Sequence, residues 1–573
     1  MRPPVVSRLH AALVLSALAL AAALPLAGCS SGTTVPAPAP NGANDPPKPP
    51  GALELVFAYG SEKETWLKEV TDAFNRGGHK TAGGKPIFVT LRPMGSGECI
   101  DEPLAGRLQA HLVSPASAAF IDLGNAESRA KTGRPLIERT DNLVLSPVVI
   151  ATWKPMAEAL GWPGKPVGWS DVLALAKDPQ GWAAHAHPEW GLFKFGHTHP
   201  DYSNSGLISL FAEVYAGAGK VKGLSDDDLK DEKVGRFLED IEGSVVHYGS
   251  STGFFGNKMF ANGPQYLSAA VLYENMVIES YDPRHKGKAF DVVALYPKEG
   301  TFWSDHPVGV VERPWVDDEH REAAKGYVKY LLDRPQQERA LAHGFRPGDV
   351  GVPLAAPIDA AHGVNPQEPK TTLEVPPVEV MTAVKGLWQR HKKHCHVTLV
   401  FDISGSMSQQ NRMTNARPGA TQFISLLADE DMVSFLPFNN QLLWAEKGVL
   451  LKDGRKRLAD RVNGLMPNGG TALYDAIDAA YQYLQQNTQP GRIAAVVVLT
   501  DGDDTNSKLK LDGLLQRIRF DAERQPIRIF TIGYGSEARN DILKKIADAT
   551  QAKSYEGKPE NIHEVFKDIA TFF

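Results

Sequence analysis

The chain has 573 residues, 42% hydrophobic and 22% charged, with a net charge of −6. That length exceeds what one hydrophobic core supports, and three folding units fit once the termini are set aside. The mildly acidic balance and the lack of a basic face point away from nucleic acid as a partner.

At the N-terminus, Arg2 and Arg8 precede an uncharged Ala/Leu stretch from Ala11 to Leu24. It is too short for a mature membrane span and has the make-up of an export signal. Leu26-Ala27-Gly28-Cys29 resembles a bacterial lipobox, which implies removal of residues 1–28 and lipidation of Cys29. An ordinary secretory signal with a chance cysteine is the alternative. Residues 29–51 are dominated by Pro, Ala, Gly, Ser and Asn and read as a tether reaching about 60 Å in polyproline geometry. No later segment has 18 consecutive apolar residues, so acyl chains would be the anchor, and the folded part would face the periplasm or the cell exterior. Beyond the tether only Cys99 and Cys395 remain, and a single pair leaves their pairing open.

Residues 52–350 alternate strand and helix. Leu53 to Ala58 is a strand, Ser61-Glu62-Lys63-Glu64 is a capping box opening a helix to about Asn75, and Ile87 to Arg92 is the next strand. The apolar run Asn142 to Thr152 is long enough to pass from one lobe to another, and the chain returns at Phe290–Tyr296 and Val308–Val311. Ala323–Leu332 and Gln336–Leu341 read as closing helices.

Five segments carry a resemblance here: Ala58 to Lys63, Leu145 to Thr152, Ser203 to Leu207, Tyr273-Glu274-Asn275, and Ala294 to Thr301. Together they resemble the type II solute-binding proteins of bacteria, on the branch related to molybdate- and iron-binding receptors. The resemblance implies two α/β lobes, 52–147 with 305–350 and 148–304, and a ligand in the cleft between them. Ser61, Ser96 and Ser205 stand at or near helix starts, where free backbone donors favour an oxyanion; simple helix capping is the alternative. Tyr273 and Glu274 are further cleft candidates. His185, His187, His197 and His199 form two His-x-His pairs that suggest a zinc or iron pocket or, without an evident carboxylate partner, plain surface histidines.

Residues 351–393 read as a Pro-rich linker and a helix with the apolar stripe Val380, Met381, Val384, Leu387, Trp388. The basic run Arg390 to Lys393 closes that helix, where cations meet its dipole.

From 394 to 573 the pattern is doubly wound. Strands are expected at Val397–Phe401, Met432–Phe435, Ala494–Leu499 and Arg528–Ile532, and helices at Thr421–Ala428, Arg455–Val462, Leu473–Gln486, Leu511–Arg519, Asn540–Ala549 and Asn561–Ala570, with an edge strand or hairpin between Leu442 and Leu451. The first strand runs into Asp402-Ile403-Ser404-Gly405-Ser406, a carboxylate and two hydroxyls at alternate positions, which suit a hard divalent ion. A glycine-rich loop places Thr471 at a helix start, and another strand ends at Asp501. In order and spacing these residues resemble the metal-ion-dependent adhesion site of von Willebrand factor A domains. The resemblance implies Mg²⁺, or Mn²⁺ or Ca²⁺, bound by Asp402, Ser404, Ser406, Thr471 and Asp501, with an acidic side chain of a protein partner completing the shell.

The expected protein is thus α/β: a two-lobed periplasmic-binding-protein-like module followed by a Rossmann-like domain. It binds rather than catalyses, anchored by lipid, through a metal-dependent protein contact and a small ligand in the cleft. No Gly-x-Ser-x-Gly elbow in a strand-turn-helix context supports a hydrolase. The alternative function is the receptor of an ABC-type transporter for an oxyanion or a metal.

Overall fold

Strand Leu53–Gly60 forms because hydrophobic residues alternate inward along it, and it lies in a five-stranded sheet ordered Ile87–Met94, Leu53–Gly60, Leu112–Ser114, Pro307–Val311, Ile137–Asn142. The first three strands are parallel, whereas Pro307–Val311 runs antiparallel to both neighbours. Trp66, Leu67, Val70 and Phe74 repeat at helical spacing on Glu64–Arg76, so that helix buries one stripe against the sheet beside Tyr327 and Leu331 of the helix Asp318–Leu332. The computed structural model describes residues 46–519, 527–535 and 537–573. The export signal and Cys29 lie outside the described residues. No described helix is long and apolar enough to cross a membrane.

The second lobe is built on the strand Val144–Trp153, almost wholly buried. Arg346–Pro347, Ala269–Tyr273, Val292–Leu295 and Trp303–Ser304 all pair with it antiparallel, and Phe195–Gly196 extends the sheet beyond Ala269–Tyr273. The chain therefore changes sheet at Leu143, earlier than the expected boundary at 147, and returns between Ser304 and Pro307. The segment after residue 347 is no loose linker. Leu373 donates its backbone N–H to Thr301, and Val352, Ile358, Val364 and Leu373 are buried.

The last domain has a six-stranded sheet ordered Glu446–Leu450, Met432–Phe438, Cys395–Asp402, Ile493–Thr500, Ile527–Tyr534, Ser554–Gly557. All pairings are parallel except that of the edge strand Glu446–Leu450. Cys395–Asp402 and Ile493–Thr500 are buried at every position because helices cover both faces, which explains their unbroken apolar runs. The helix expected from Thr421 begins at Arg412 and passes through Pro418.

Helix Val378–His391 joins the modules and buries the expected stripe. Trp388 meets Tyr248 and His199 edge-on, with ring centroids 5.4 and 4.9 Å apart. Lys392 Nζ donates to the Phe573 carbonyl at 2.6 Å and Lys393 Nζ to that of Val245 at 3.0 Å, so the basic run is spent on protein contacts. Cys99 and Cys395 are both free and buried.

Candidate functional site

At the carboxyl edge of the last sheet, three loops meet. Strand Cys395–Asp402 ends in Asp402, fully buried, whose Oδ1 accepts from the Ser404 backbone N–H at 2.7 Å and whose Oδ2 accepts from the Thr500 hydroxyl at 2.5 Å. Ser404 Oγ and Ser406 Oγ are 3.0 Å apart, and Ser406 Oγ donates to Asp501 Oδ1 at 2.8 Å. The glycine-rich loop is tied in by its backbone: Gly405 N–H donates to Gly469, and Asn468 N–H to Ile403. Gly469 has φ +79°, a left-handed conformation that favours glycine at this bend. Thr471 is fixed on both backbone atoms. Its N–H donates to Thr505 Oγ1 and Asn506 Oδ1, and its carbonyl accepts from the N–H groups of the same two residues. All five expected ligands therefore belong to one cluster of loops beyond the strand ends, where open α/β sheets bind ligands.

Burial, against the hydrogen bonds from Thr500 and Ser404, pushes the Asp402 carboxyl up to about 6, and the neighbouring Asp501 adds to the rise. This is a carboxylate short of countercharge. The donor set is all oxygen, three hydroxyls and two carboxylates, and fits a hard divalent ion. One participant had no signal in the sequence. Arg412, 1% exposed, donates from Nη1 to Asp501 Oδ2 at 2.7 Å and to Glu537 Oε2 at 3.1 Å. Asp503 accepts from Arg539 and Asp504 from Tyr474 N–H, so both serve the surrounding loops.

Between the lobes lies a cavity of about 360 Å³. Of the five expected cleft residues, Ser61 alone lines it. Ser61 caps nothing through its side chain, since Glu64 rather than Ser61 opens the α-helix, and its Oγ is buried without a hydrogen-bond partner. The other four are occupied elsewhere. Ser96 Oγ accepts from Ala116 N–H, and Ser205 Oγ bonds to the hydroxyls of Thr198 and Thr252. Tyr273 is fully buried and accepts from Asn204. Glu274 takes a two-pronged ion pair from Arg346 at 2.8 and 2.7 Å, pinning strand Arg346–Pro347 to the second lobe. Helix starts buried in a lobe look the same in sequence as helix starts open to a cleft. The lining carries Glu62, Glu64, Glu98, Glu279 and Asp568 against Arg284, a sign opposite to that expected for an oxyanion site.

The four histidines do not form one pocket. His187 is half exposed and pairs with Glu189, whereas His197 and His199 are buried.

Against known families, residues 55–346 match the bacterial extracellular solute-binding protein model and residues 396–568 the von Willebrand factor type A domain model. Both are binding modules rather than catalytic families. An uncharacterised protein of Mycobacterium tuberculosis strain H37Rv is 23% identical over 522 residues, covering 82% of this chain and 69% of that protein. Among solved structures, a periplasmic thiamin binding protein is 14% identical at a TM-score of 0.44, covering 61% of this chain and 98% of its own. A von Willebrand factor type A protein from Catenulispora acidiphila is 22% identical at a TM-score of 0.26, covering 31% of this chain and 42% of its own.

Proposed function

This chain belongs to the bacterial extracellular solute-binding proteins and ends in a von Willebrand factor type A domain, and from that premise we propose an extracytoplasmic binding protein that grips a protein partner through a divalent cation. Asp402, Ser404, Ser406, Thr471 and Asp501 would hold Mg²⁺, or Mn²⁺ or Ca²⁺, and Cys29 would anchor the chain by lipid. A bound divalent ion supplies an electrophilic position that a carboxylate can occupy.

The observation that carries this reading is the oxygen cluster itself, with Ser404 Oγ 3.0 Å from Ser406 Oγ and Ser406 Oγ 2.8 Å from Asp501 Oδ1. Two aspartates alone would leave a filled site neutral. Arg412 is shared with Glu537 and leaves that balance unchanged: Asp402, Asp501 and Glu537 against Arg412 carry two net negative charges before a divalent ion and none after it. An acidic partner side chain would therefore be drawn by an open coordination position on the ion rather than by net charge. Asp402 is fixed by Thr500 and Ser404, Asp501 by Ser406 and Arg412, and the Thr471 backbone by Thr505 and Asn506, so the loops are braced before an ion arrives.

The inter-lobe cavity would hold a small ligand, and its acidic lining suits a cation better than an oxyanion. Delivery of that solute to an ABC-type permease is the second reading. It rests on the same cavity and leaves the metal site without a part.

Pull-down from envelope extract tests the proposal in three arms: full chain with Mg²⁺, full chain with EDTA, and Asp402→Ala with Mg²⁺. Partners should appear in the first alone. The same partners in all three arms would end the metal-dependent reading.

A further inference from the structure

We infer that the second lobe contains a separate metal site, formed by His197, Glu213 and Glu242, that takes a divalent transition ion of the zinc class. His197 follows the short strand Phe195–Gly196, Glu213 lies within helix Asn204–Ala218, and Glu242 ends helix Glu232–Glu242. Each is 0% exposed. One ligand atom from each lies within 4.8 Å of the other two. Zinc bonds of about 2.0–2.2 Å space their donors by roughly 3 to 4 Å, so little contraction would close the site.

What singles out this cluster is that each side chain has its second polar atom already committed. His197 Nδ1 donates to the Thr198 carbonyl at 2.8 Å, so Nε2, hydrogen-bonded to Glu242 Oε1 at 3.0 Å, is the nitrogen whose proton an ion would replace. The Tyr248 hydroxyl donates to Glu242 Oε2 at 2.6 Å, and the Ser209 hydroxyl to Glu213 Oε1 at 2.7 Å. Glu213 Oε2 is left buried with no hydrogen-bond partner among the described residues. Such an orphaned carboxylate oxygen is costly, and a cation would satisfy it. A neutral imidazole with two carboxylates suits zinc, whereas Mg²⁺ and Ca²⁺ prefer oxygen alone. Two carboxylates also cancel a divalent charge, so the filled site is neutral.

Without an ion, neutrality requires protons. Burial and then the charge of Glu242 push Glu213 up to about 8. Against burial, which lowers it, the Glu242 carboxylate lifts His197 to about 9. Ion and protons are thus the two ways to quiet the cluster, and they are experimentally separable. The site also lies beneath the joint with the C-terminal domain, since Tyr248 packs on Trp388 and donates its backbone N–H to Phe572 at 3.3 Å. A bound ion would stiffen the seat on which that domain rests.

The test uses the full chain carrying Asp402→Ala, so that the other metal site does not contribute. It is produced in Zn²⁺-supplemented medium, purified without chelator and analysed for metal by mass spectrometry, with Mn²⁺ and Mg²⁺ as parallel arms. About one zinc per chain is expected, with a Tm that falls on chelation, and both should be lost on adding Glu213→Gln, which keeps the side-chain shape. His197→Gln should act alike. Equal zinc in these variants, or a folded Asp402→Ala chain that emerges metal-free with a Tm indifferent to Zn²⁺, would overturn the site and assign the cluster to protons.

Discussion

Arg412 is a buried cation that braces Asp501 of the candidate site. Removing one member of a buried ion pair typically costs about 3–5 kcal/mol because the other charge stays buried and unpaired. Arg412→Gln should therefore lower the Tm of the metal-free chain, and Mg²⁺ should restore much of the loss by taking over the countercharge of Asp501; melting curves with and without Mg²⁺ read both effects. The corresponding break at Glu274–Arg346 should behave differently. Glu274→Gln should cost a similar amount at any Mg²⁺ concentration and leave metal-dependent capture intact, because that pair pins a strand and touches neither site. His111 gives a pH dependence. Its Nδ1 accepts from Val56 N–H at 3.0 Å, and burial lowers it to about 4. A histidine lower in the folded than in the unfolded chain takes up protons on unfolding, so its contribution is full above about pH 6.5 and fades as pH falls toward 4. His111→Asn can still accept from Val56 without titrating, and should narrow the gap between Tm at pH 7 and pH 5.

Among the elements, the helix Ile562–Ala570 and the residues after it carry the union of the two modules. Phe572 is buried against His247 and Phe254 of the second lobe. Truncating a buried aromatic costs about 3–5 kcal/mol, and Phe572→Ala should split the calorimetric unfolding into two transitions as the modules uncouple. The strands and the loop that gathers the candidate oxygen donors were legible in sequence because long buried apolar runs and the Asp402-x-Ser404-x-Ser406 spacing are local signals. Helix Arg412–Leu426 was only half legible. Pro418 reads as a start or a breaker, yet packing against Ile562–Ala570 carries the helix through it, and Gly419 permits the approach: a Cβ there would meet Phe566 at 2.9 Å. The cleft was legible as a cleft but not in its residues. Ser205 and Tyr273 become buried only through tertiary contacts, and the carboxylates that meet His197 lie far along the chain.

At the scale of the whole molecule, the C-terminal domain touches both lobes. Lys567 pairs with Glu102 at 3.3 Å and Glu98 at 3.7 Å in the first lobe, Phe572 packs on the second, and Asp568 lines the cavity between them. The C-terminal domain and the solute-binding module therefore form one assembly, in which the C-terminal domain contributes to the wall of the cavity between the lobes. The proposed grip on a partner requires the cluster at Asp402 to hold a divalent ion through oxygen donors. Calorimetric titration of the full chain with Mg²⁺, an ion that the imidazole-containing cluster would not favour, tests it most directly. Saturable binding in the native chain, abolished by Asp402→Ala while the fold is kept, is the expected result; identical titration curves for the two chains would contradict it.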